Sequence, residues 1–335
     1  MRERFVECGG SGPHGVRLRV TEAGEGPLVV LLHGFPESAY SWRHQLEPLA
    51  AAGYRVIAPD QRGYGHSSHP EPVEAYSVLR LVGDVVALIA DAGAENAVVV
   101  GHDWGAIVAW QLAAMRPDLV RAVAGLSVPP RPRGQRPPLE AYRALHAGRF
   151  YMNHIEKPGV ADAEMARDVR RSLRLAFDGL SGENPANDPP QPLLVPDGDG
   201  LPDALGGRDV LPSWLSAADL DVFAEQFAPE TGGFTGALNW YRNLDTDWPA
   251  LAAFDGARLR MPALFVAGDR DTVLSGPGSA AYVASLPGRH PGMREPVILT
   301  GCGHWAQQER PAEVTAELLA FLGSLSPRES PDPAV

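Results

Sequence analysis

The segment Asn96-Ala97-Val98-Val99-Val100-Gly101-His102-Asp103-Trp104-Gly105-Ala106 sets a carboxylate where a chain of this pattern normally carries a nucleophile. Its apolar run, Ala97 to Val100, reads as a buried parallel strand. A helical pattern through Ile107, Ala109, Trp110 and Ala113 follows. Small residues, Gly101, Gly105 and Ala106, surround Asp103 between the two. This is the strand–turn–helix frame of a nucleophile elbow, G-x-S-x-G, with Asp in place of Ser. The small residues are needed because the turn is strained and the strand and helix pass close together. A serine there would form an acyl-enzyme with esters, whereas a carboxylate attacks a saturated carbon and leaves an alkyl ester on the protein. Asp is also a good helix N-cap, but capping alone does not call for the three small neighbours.

Three further positions could serve such a nucleophile. His304, in Gly301-Cys302-Gly303-His304-Trp305, follows the final strand-like run and completes the order nucleophile, acid, histidine. A lone His in a loop is often a surface residue, but this one stands where a general base belongs, and imidazole titrates near neutrality. The acid that would orient it has two candidates, Asp269 and Asp271, in Gly268-Asp269-Arg270-Asp271-Thr272-Val273. An alternative acid position, after the run Ala122 to Leu126, offers only Ser127 and Val128. His33-Gly34-Phe35-Pro36 follows the run Pro27 to Leu32, where an oxyanion-hole N–H is expected. Phe35 and Trp104 would supply the two N–H groups, against the plainer reading of a Gly-Pro turn.

The elements that position these residues alternate. Strand-like runs are Pro27 to Leu32, Tyr54 to Ala58, Ala97 to Val100 and Ala122 to Leu126; helical stretches are Trp42 to Ala52, Leu79 to Ala92 and Trp104 to Met115. The alternation predicts an α/β class chain, a mostly parallel sheet with helices on both faces. It resumes with strands Ala263 to Ala267 and Val297 to Thr300 and a helix from Pro311 to Leu325, Pro suiting a first helical position. Between the halves, a cluster of Pro129, Pro130, Pro132, Pro137 and Pro138 reads as a hinge. Helical segments without strands follow, roughly Leu139 to Leu180 and Ser213 to Leu244, separated by a long loop, Ser181 to Arg208. The expected division is an α/β core at 1–128 and 251–335 with a helical lid at 129–250. The tail from Ser326 is expected to be disordered.

Composition narrows the class. The chain has 335 residues, enough for one large domain with an insertion, and 44% are hydrophobic. A net charge of -12 argues against nucleic acid or an anionic membrane as partner. The two cysteines, Cys8 and Cys302, have no metal-motif spacing and make no disulfide framework. No signal peptide or membrane span is evident, so the expected location is the cytoplasm. No metal or cofactor is called for, and nothing indicates the oligomeric state.

With these residues in place the chain resembles the epoxide hydrolases of the α/β-hydrolase superfamily over nearly its whole length. The resemblance is carried by His33-Gly34-Phe35-Pro36-Glu37-Ser38 with Ser41-Trp42-Arg43, by Gly63-Tyr64-Gly65, and by Gly101-His102-Asp103-Trp104-Gly105. Glu156-Lys157-Pro158-Gly159-Val160-Ala161, Asn239-Trp240-Tyr241-Arg242-Asn243 and Cys302-Gly303-His304-Trp305 complete it. It implies an α/β-hydrolase fold with an inserted lid, or cap, and Asp271 as the acid, since the family's acid precedes a short apolar pair, here Val273 and Leu274. It implies a cis bond between Phe35 and Pro36, which proline permits.

The resemblance also implies two lid tyrosines that bind an epoxide oxygen, matched by Tyr151 and Tyr241, although a lid tyrosine is ordinarily amphipathic packing. His154 and Ile155 depart from the family, standing where relatives often carry two more aromatics. Phe35, Trp104, Tyr151 and Tyr241 are then the expected substrate-binding residues, and a small hydrophobic epoxide and water the expected reactants. A haloalkane dehalogenase shares the Asp nucleophile and the base, but needs halide donors such as a second Trp or an Asn. Asn or Glu after His33-Gly34 would favour it; Phe35 does not. A haloacid dehalogenase would favour Arg where Trp104 stands. A non-catalytic ligand receptor would not need Asp103, Asp271 and His304 together, and Asp103 excludes a serine esterase.

Overall fold

The computed structural model describes residues 1–9 and 15–325; the tail from Ser326 lies outside the described residues. Among the described residues eight strands form one sheet: β1 (Arg2–Cys8), β2 (Val16–Ala23), β3 (Leu28–Leu32), β4 (Arg55–Pro59), β5 (Ala97–His102), β6 (Val120–Leu126), β7 (Ala263–Gly268) and β8 (Val297–Leu299). Their spatial order is β1-β2-β4-β3-β5-β6-β7-β8. β1 pairs antiparallel to β2, and β2 antiparallel to β4. All other pairings are parallel.

The six parallel strands are those expected from their apolar runs, within two residues at each end. β1 and β2 were not foreseen. They are rich in charge, Arg-Glu-Arg-Phe-Val-Glu-Cys in β1, and every second residue of β2 faces inward. An antiparallel edge pair with one wet face alternates in this way, and the continuous apolar run of a doubly covered strand is missing.

The pleat sends successive side chains to opposite faces. Val30 and Leu32 of β3 and Val99 of β5 join one core. Val29 and Leu31 of β3 and Val98 and Val100 of β5 join the other. The first face packs on α2 (Val78–Asp91) and α3 (Trp104–Met115), the second on α1 (Arg43–Ala51) and, at the chain's end, the helix Pro311–Gly323.

Between β6 and β7 the described residues form no strand of the sheet. They make α4 (Pro138–Leu145), α5 (Tyr151–Ile155), α6 (Val160–Ala166), α7 (Val169–Gly179), α8 (Leu201–Ala204), α9 (Ala217–Gln226), α10 (Thr235–Arg242) and α11 (Leu244–Ala250), an inserted helical lid. The first expected helical stretch is four short helices, broken by Gly148 and Gly159 in left-handed backbone (φ 77° and 81°). The span Ser181 to Arg208 is not one unstructured loop. It holds a 3-10 turn at Pro185–Asn187 and α8. Leu194 bridges Phe150, and the buried Asp178 receives both the N–H and the guanidinium of Arg208. After β7 come α12 (Ser279–Ala284) and α13 (Leu286–Arg289); after β8, α14 (Ala306–Glu309) and α15 (Pro311–Gly323). Lid and core are joined on one side by Trp240, whose Nε1–H donates to Arg62 O at 3.1 Å.

Candidate active site

Asp103 lies between the end of β5 and the start of α3 with φ 52° and ψ -119°. A left-handed φ on a residue with a Cβ costs of order 1–3 kcal/mol, and the surrounding packing holds it there. That packing brings glycines against backbone and against the carboxylate itself. A Cβ on Gly105 would stand 2.1 Å from Leu32 O. A Cβ on Gly34 would stand 2.3 Å from Asp103 Oδ1, so only glycine lets the β3 loop approach the carboxylate. Asp103 occupies the N-cap position of α3 but makes no capping hydrogen bond. Its Oδ1 instead accepts from Phe35 N–H at 2.9 Å, in a loop whose Phe35–Pro36 bond is cis. The Trp104 N–H begins α3 beside it, at a helix position with no intrahelical acceptor.

The loops after β7 and β8 bring the histidine and one acid together. His304 Nδ1 lies 3.1 Å from Asp271 Oδ1, and Nε2 lies 3.7 Å from Asp103 Oδ2. Asp271 is fully buried, and its Oδ1 also accepts from Val273 N–H at 2.9 Å. Asp269 faces elsewhere, with Oδ1 accepting from Gly301 N–H at 2.8 Å. The choice left open between the two carboxylates therefore falls on Asp271. Burial pulls the pKa of His304 down, but the charge and hydrogen bond of Asp271, then the charge of Asp103, outweigh it and raise it to about 9.

Further groups hold the histidine that its own motif does not reveal. The His304 carbonyl accepts from Ser127 Oγ–H at 2.7 Å and lies 2.8 Å from His102 Nε2. Ser127 thus occupies the empty alternative acid position as a backbone anchor. His102 Nδ1 is 2.7 Å from Glu37 Oε2, and Glu37 Oε1 accepts from the side-chain amides of Gln307 and Gln308. Burial pushes the Glu37 carboxyl up, but His102, His33 and the Gly34 N–H together outweigh it, leaving its pKa lowered. Glu37 and His102 adjoin the Gly-Phe-Pro loop and the nucleophile in sequence, which is the one signal that could have flagged them.

Over the carboxylate the lid contributes apolar walls and two phenols. The Tyr241 ring lies 5.0 Å from Trp104 and 5.7 Å from Phe35, and Tyr151 lies 5.9 Å from Tyr241, all near-perpendicular. Phe227 and Phe234 stack on each other against Phe35. Burial first, then the charge of Asp103, pushes the Tyr151 pKa well above the usual phenol value. Tyr241 is raised by burial, by Tyr151 and by Asp103. Both phenols therefore keep their protons at any ordinary pH. His154 pairs with Glu164 at 2.8 Å and Ile155 is buried in the core, so neither replaces an aromatic at the site. Among the described residues no group of His, Cys, Asp and Glu could hold a metal ion, and no helix is long and apolar enough to cross a membrane.

An elbow after the fifth strand, a histidine after the last and a helical lid between the sixth and seventh define an α/β-hydrolase whose elbow carries a carboxylate. The family model for the alpha/beta hydrolase fold matches residues 27–311. The chain is 49% identical to Epoxide hydrolase A of Mycobacterium tuberculosis over 333 residues, covering 97% of this chain and 98% of that one. Among solved structures it is similar to an epoxide hydrolase from an endophytic Streptomyces, with a TM-score of 0.88 and 44% identity over 97% of this chain and 96% of that one. Epoxide Hydrolase A from Mycobacterium thermoresistibile gives a TM-score of 0.87 and 48% identity, covering 97% and 99%. The chain belongs to the epoxide hydrolases of the α/β-hydrolase family.

Proposed function

We propose that this chain adds water to a small hydrophobic epoxide to give a vicinal diol, in two steps through an alkyl ester on Asp103. The observation that carries the reading is the asymmetry of the Asp103 carboxylate. Oδ1 is held by the Phe35 N–H at 2.9 Å, while Oδ2 faces His304 Nε2 at 3.7 Å. Oδ2 is therefore the attacking oxygen, and Oδ1 becomes the ester carbonyl. Oδ2 attacks an epoxide carbon opposite the C–O bond. That bond breaks and its electron pair goes to the ring oxygen. Tyr151 and Tyr241, uncharged and poised over the carboxylate, hydrogen-bond that oxygen and supply its proton.

In the second step His304 Nε2 takes a proton from water, with Asp271 orienting the ring through Nδ1. The hydroxide attacks Asp103 Cγ, and negative charge develops on Oδ1. Phe35 N–H and Trp104 N–H, the latter at a helix N-terminus, hold that oxyanion. The acyl–oxygen bond breaks, His304 returns its proton to the leaving alkoxide, and the diol departs. The proton that entered Asp103 with the new hydroxyl then passes, through water, to the tyrosinate left by ring opening, so that carboxylate and phenol are both restored. The scheme uses neither metal nor cofactor. Paired phenols in place of halide donors speak against the haloalkane dehalogenase alternative. We place the core at 1–128 and 251–335 and the lid at 129–250, because the last strand before the insertion ends at Leu126 and the next begins at Ala263.

Heavy-oxygen water tests the covalent step. With enzyme in excess over epoxide, a single turnover should leave the diol largely unlabelled and put the label in the peptide bearing Asp103. Later turnovers pass that label into diol. Direct attack of water on the epoxide, with Asp103 as a base, would label the diol at once, and that result would sink the covalent reading.

The charge balance at His304 adds a pH signature. Its raised pKa, about 9, draws partly on the Asp103 carboxylate. Esterification removes that charge, so the pKa falls in the alkyl-enzyme and the ring becomes a free base when it is needed. Decay of the alkyl-enzyme, followed by rapid quench, should rise with pH to a plateau whose midpoint lies below about 9. A midpoint at or above that value would refute the coupling.

A further inference from the structure

We infer that Glu309 is a positioning residue for His304, a buried carboxylate clamp that ties the lid to the base loop and so sets the rate of ester hydrolysis. The inference rests on the two-step reading above. Glu309 ends α14 and is 6% exposed. Its Oε2 accepts from Gly303 N–H at 3.0 Å and its Oε1 from Trp305 N–H at 3.1 Å, the residues on either side of His304. The same Oε2 reaches across to the lid, accepting from Gly182 N–H at 2.9 Å and Ser181 Oγ–H at 3.4 Å. Among the described residues no basic side chain pairs with it. The neighbouring Arg310 donates its Nη2–H to Gly301 O and forms an ion pair with Glu313, Nε to Oε1 at 3.6 Å. Burial pushes the carboxyl pKa up, and the three N–H groups pull it back only in part. A carboxylate buried at such cost, with only N–H and O–H donors around it, fixes those donors through charge-assisted hydrogen bonds.

The segment that Glu309 grips is interlocked with the base loop. His304 N–H donates to Leu180 O at 2.9 Å, and Arg270 Nη1–H donates to Gly182 O at 2.9 Å. Trp305 Nε1–H donates to Phe177 O at 3.1 Å. A Cβ on Gly182 would meet Gly301 O at 2.4 Å and Gly303 N at 2.6 Å, and one on Gly303 would meet Gly182 N at 2.2 Å. Residues 180–182 of the lid and 301–303 of the core therefore touch backbone to backbone, and Glu309 closes the seam. His304 has to place a water against Asp103 Cγ, and a small shift of its loop misdirects that water. Alkylation needs only Asp103 and the phenols. Loss of the clamp should fall on the second step.

The test is Glu309→Gln in the full chain, which keeps the volume, removes the charge and turns one acceptor into a donor. Alkylation and ester decay are timed separately in single turnovers, and thermal melts confirm that the variants fold. Decay should slow by about 10–100-fold while alkylation stays close to wild type, so that alkyl-enzyme accumulates. Glu309→Asp should restore part of the decay rate. Gly182→Ala, which parts the two loops sterically and alters no charge, should show the same split. Wild-type rates in these variants, or equal loss of both rates, would overturn the clamp. A wild-type enzyme that makes diol without any alkyl-enzyme would instead overturn the two-step reading itself.

Discussion

His304→Gln should consume one equivalent of epoxide and then stop. The substitution leaves Asp103, its Phe35 N–H and the two lid tyrosines in place, so the carbon–oxygen bond of the ester still forms. Glutamine cannot accept the proton of the attacking water, and loss of a general base costs roughly 10²–10⁴-fold in the step it serves. Mass spectrometry of the variant after epoxide treatment should show one substrate mass added, on the peptide bearing Asp103. The variant also loses an imidazolium that lies 3.7 Å from Asp103 Oδ2 in the resting state. The bare carboxylate is then the better nucleophile, and alkylation should not slow. Unmodified protein with wild-type turnover would remove His304 from the mechanism.

Which parts of this were legible in the sequence follows from how local the constraint is. Asp103, Gly101, Gly105 and the run Ala97 to Val100 are neighbours in the chain. The elbow they form could be recognised because strain, close packing and chemistry all act within ten residues. The β7 and β8 loops were legible for the same reason, although the residues alone left Asp269 and Asp271 equivalent. The hydrogen bond from Gly301 N–H to Asp269 and the approach of Asp271 to His304 separate them only in three dimensions. The antiparallel edge pair β1 and β2 escaped because its charged alternation lacks the apolar run of a buried strand. The seam at Glu309 escaped for a different reason. Its partners, Gly182 and Gly303, lie in segments more than a hundred residues apart, and neither segment alone shows an unsatisfied N–H.

Tyr151→Phe and Tyr241→Phe should each slow alkylation, and the double variant should be nearly inactive on epoxides. The alkoxide that departs as the ring opens is a poor leaving group unless a donor meets it, and in the proposed mechanism these phenols are the uncharged donors. Each hydroxyl stabilises charge that exists only as the ring opens, so its loss appears in the rate and far less in substrate binding. By analogy with the loss of one oxyanion donor, each single change should cost roughly 10²–10³-fold in alkylation. The double change should cost more than either, though less than their product if the remaining phenol can hold the oxygen alone. Phenylalanine keeps the ring contacts among Tyr241, Trp104 and Phe35, so the pocket walls stand and the loss reads the hydroxyl itself. Pre-steady-state rates on an epoxide, set against those on a haloalkane of similar size, complete the test. A haloalkane needs no proton at its leaving group. Retained epoxide activity in the double variant, or a native preference for the haloalkane, would turn the reading toward a dehalogenase.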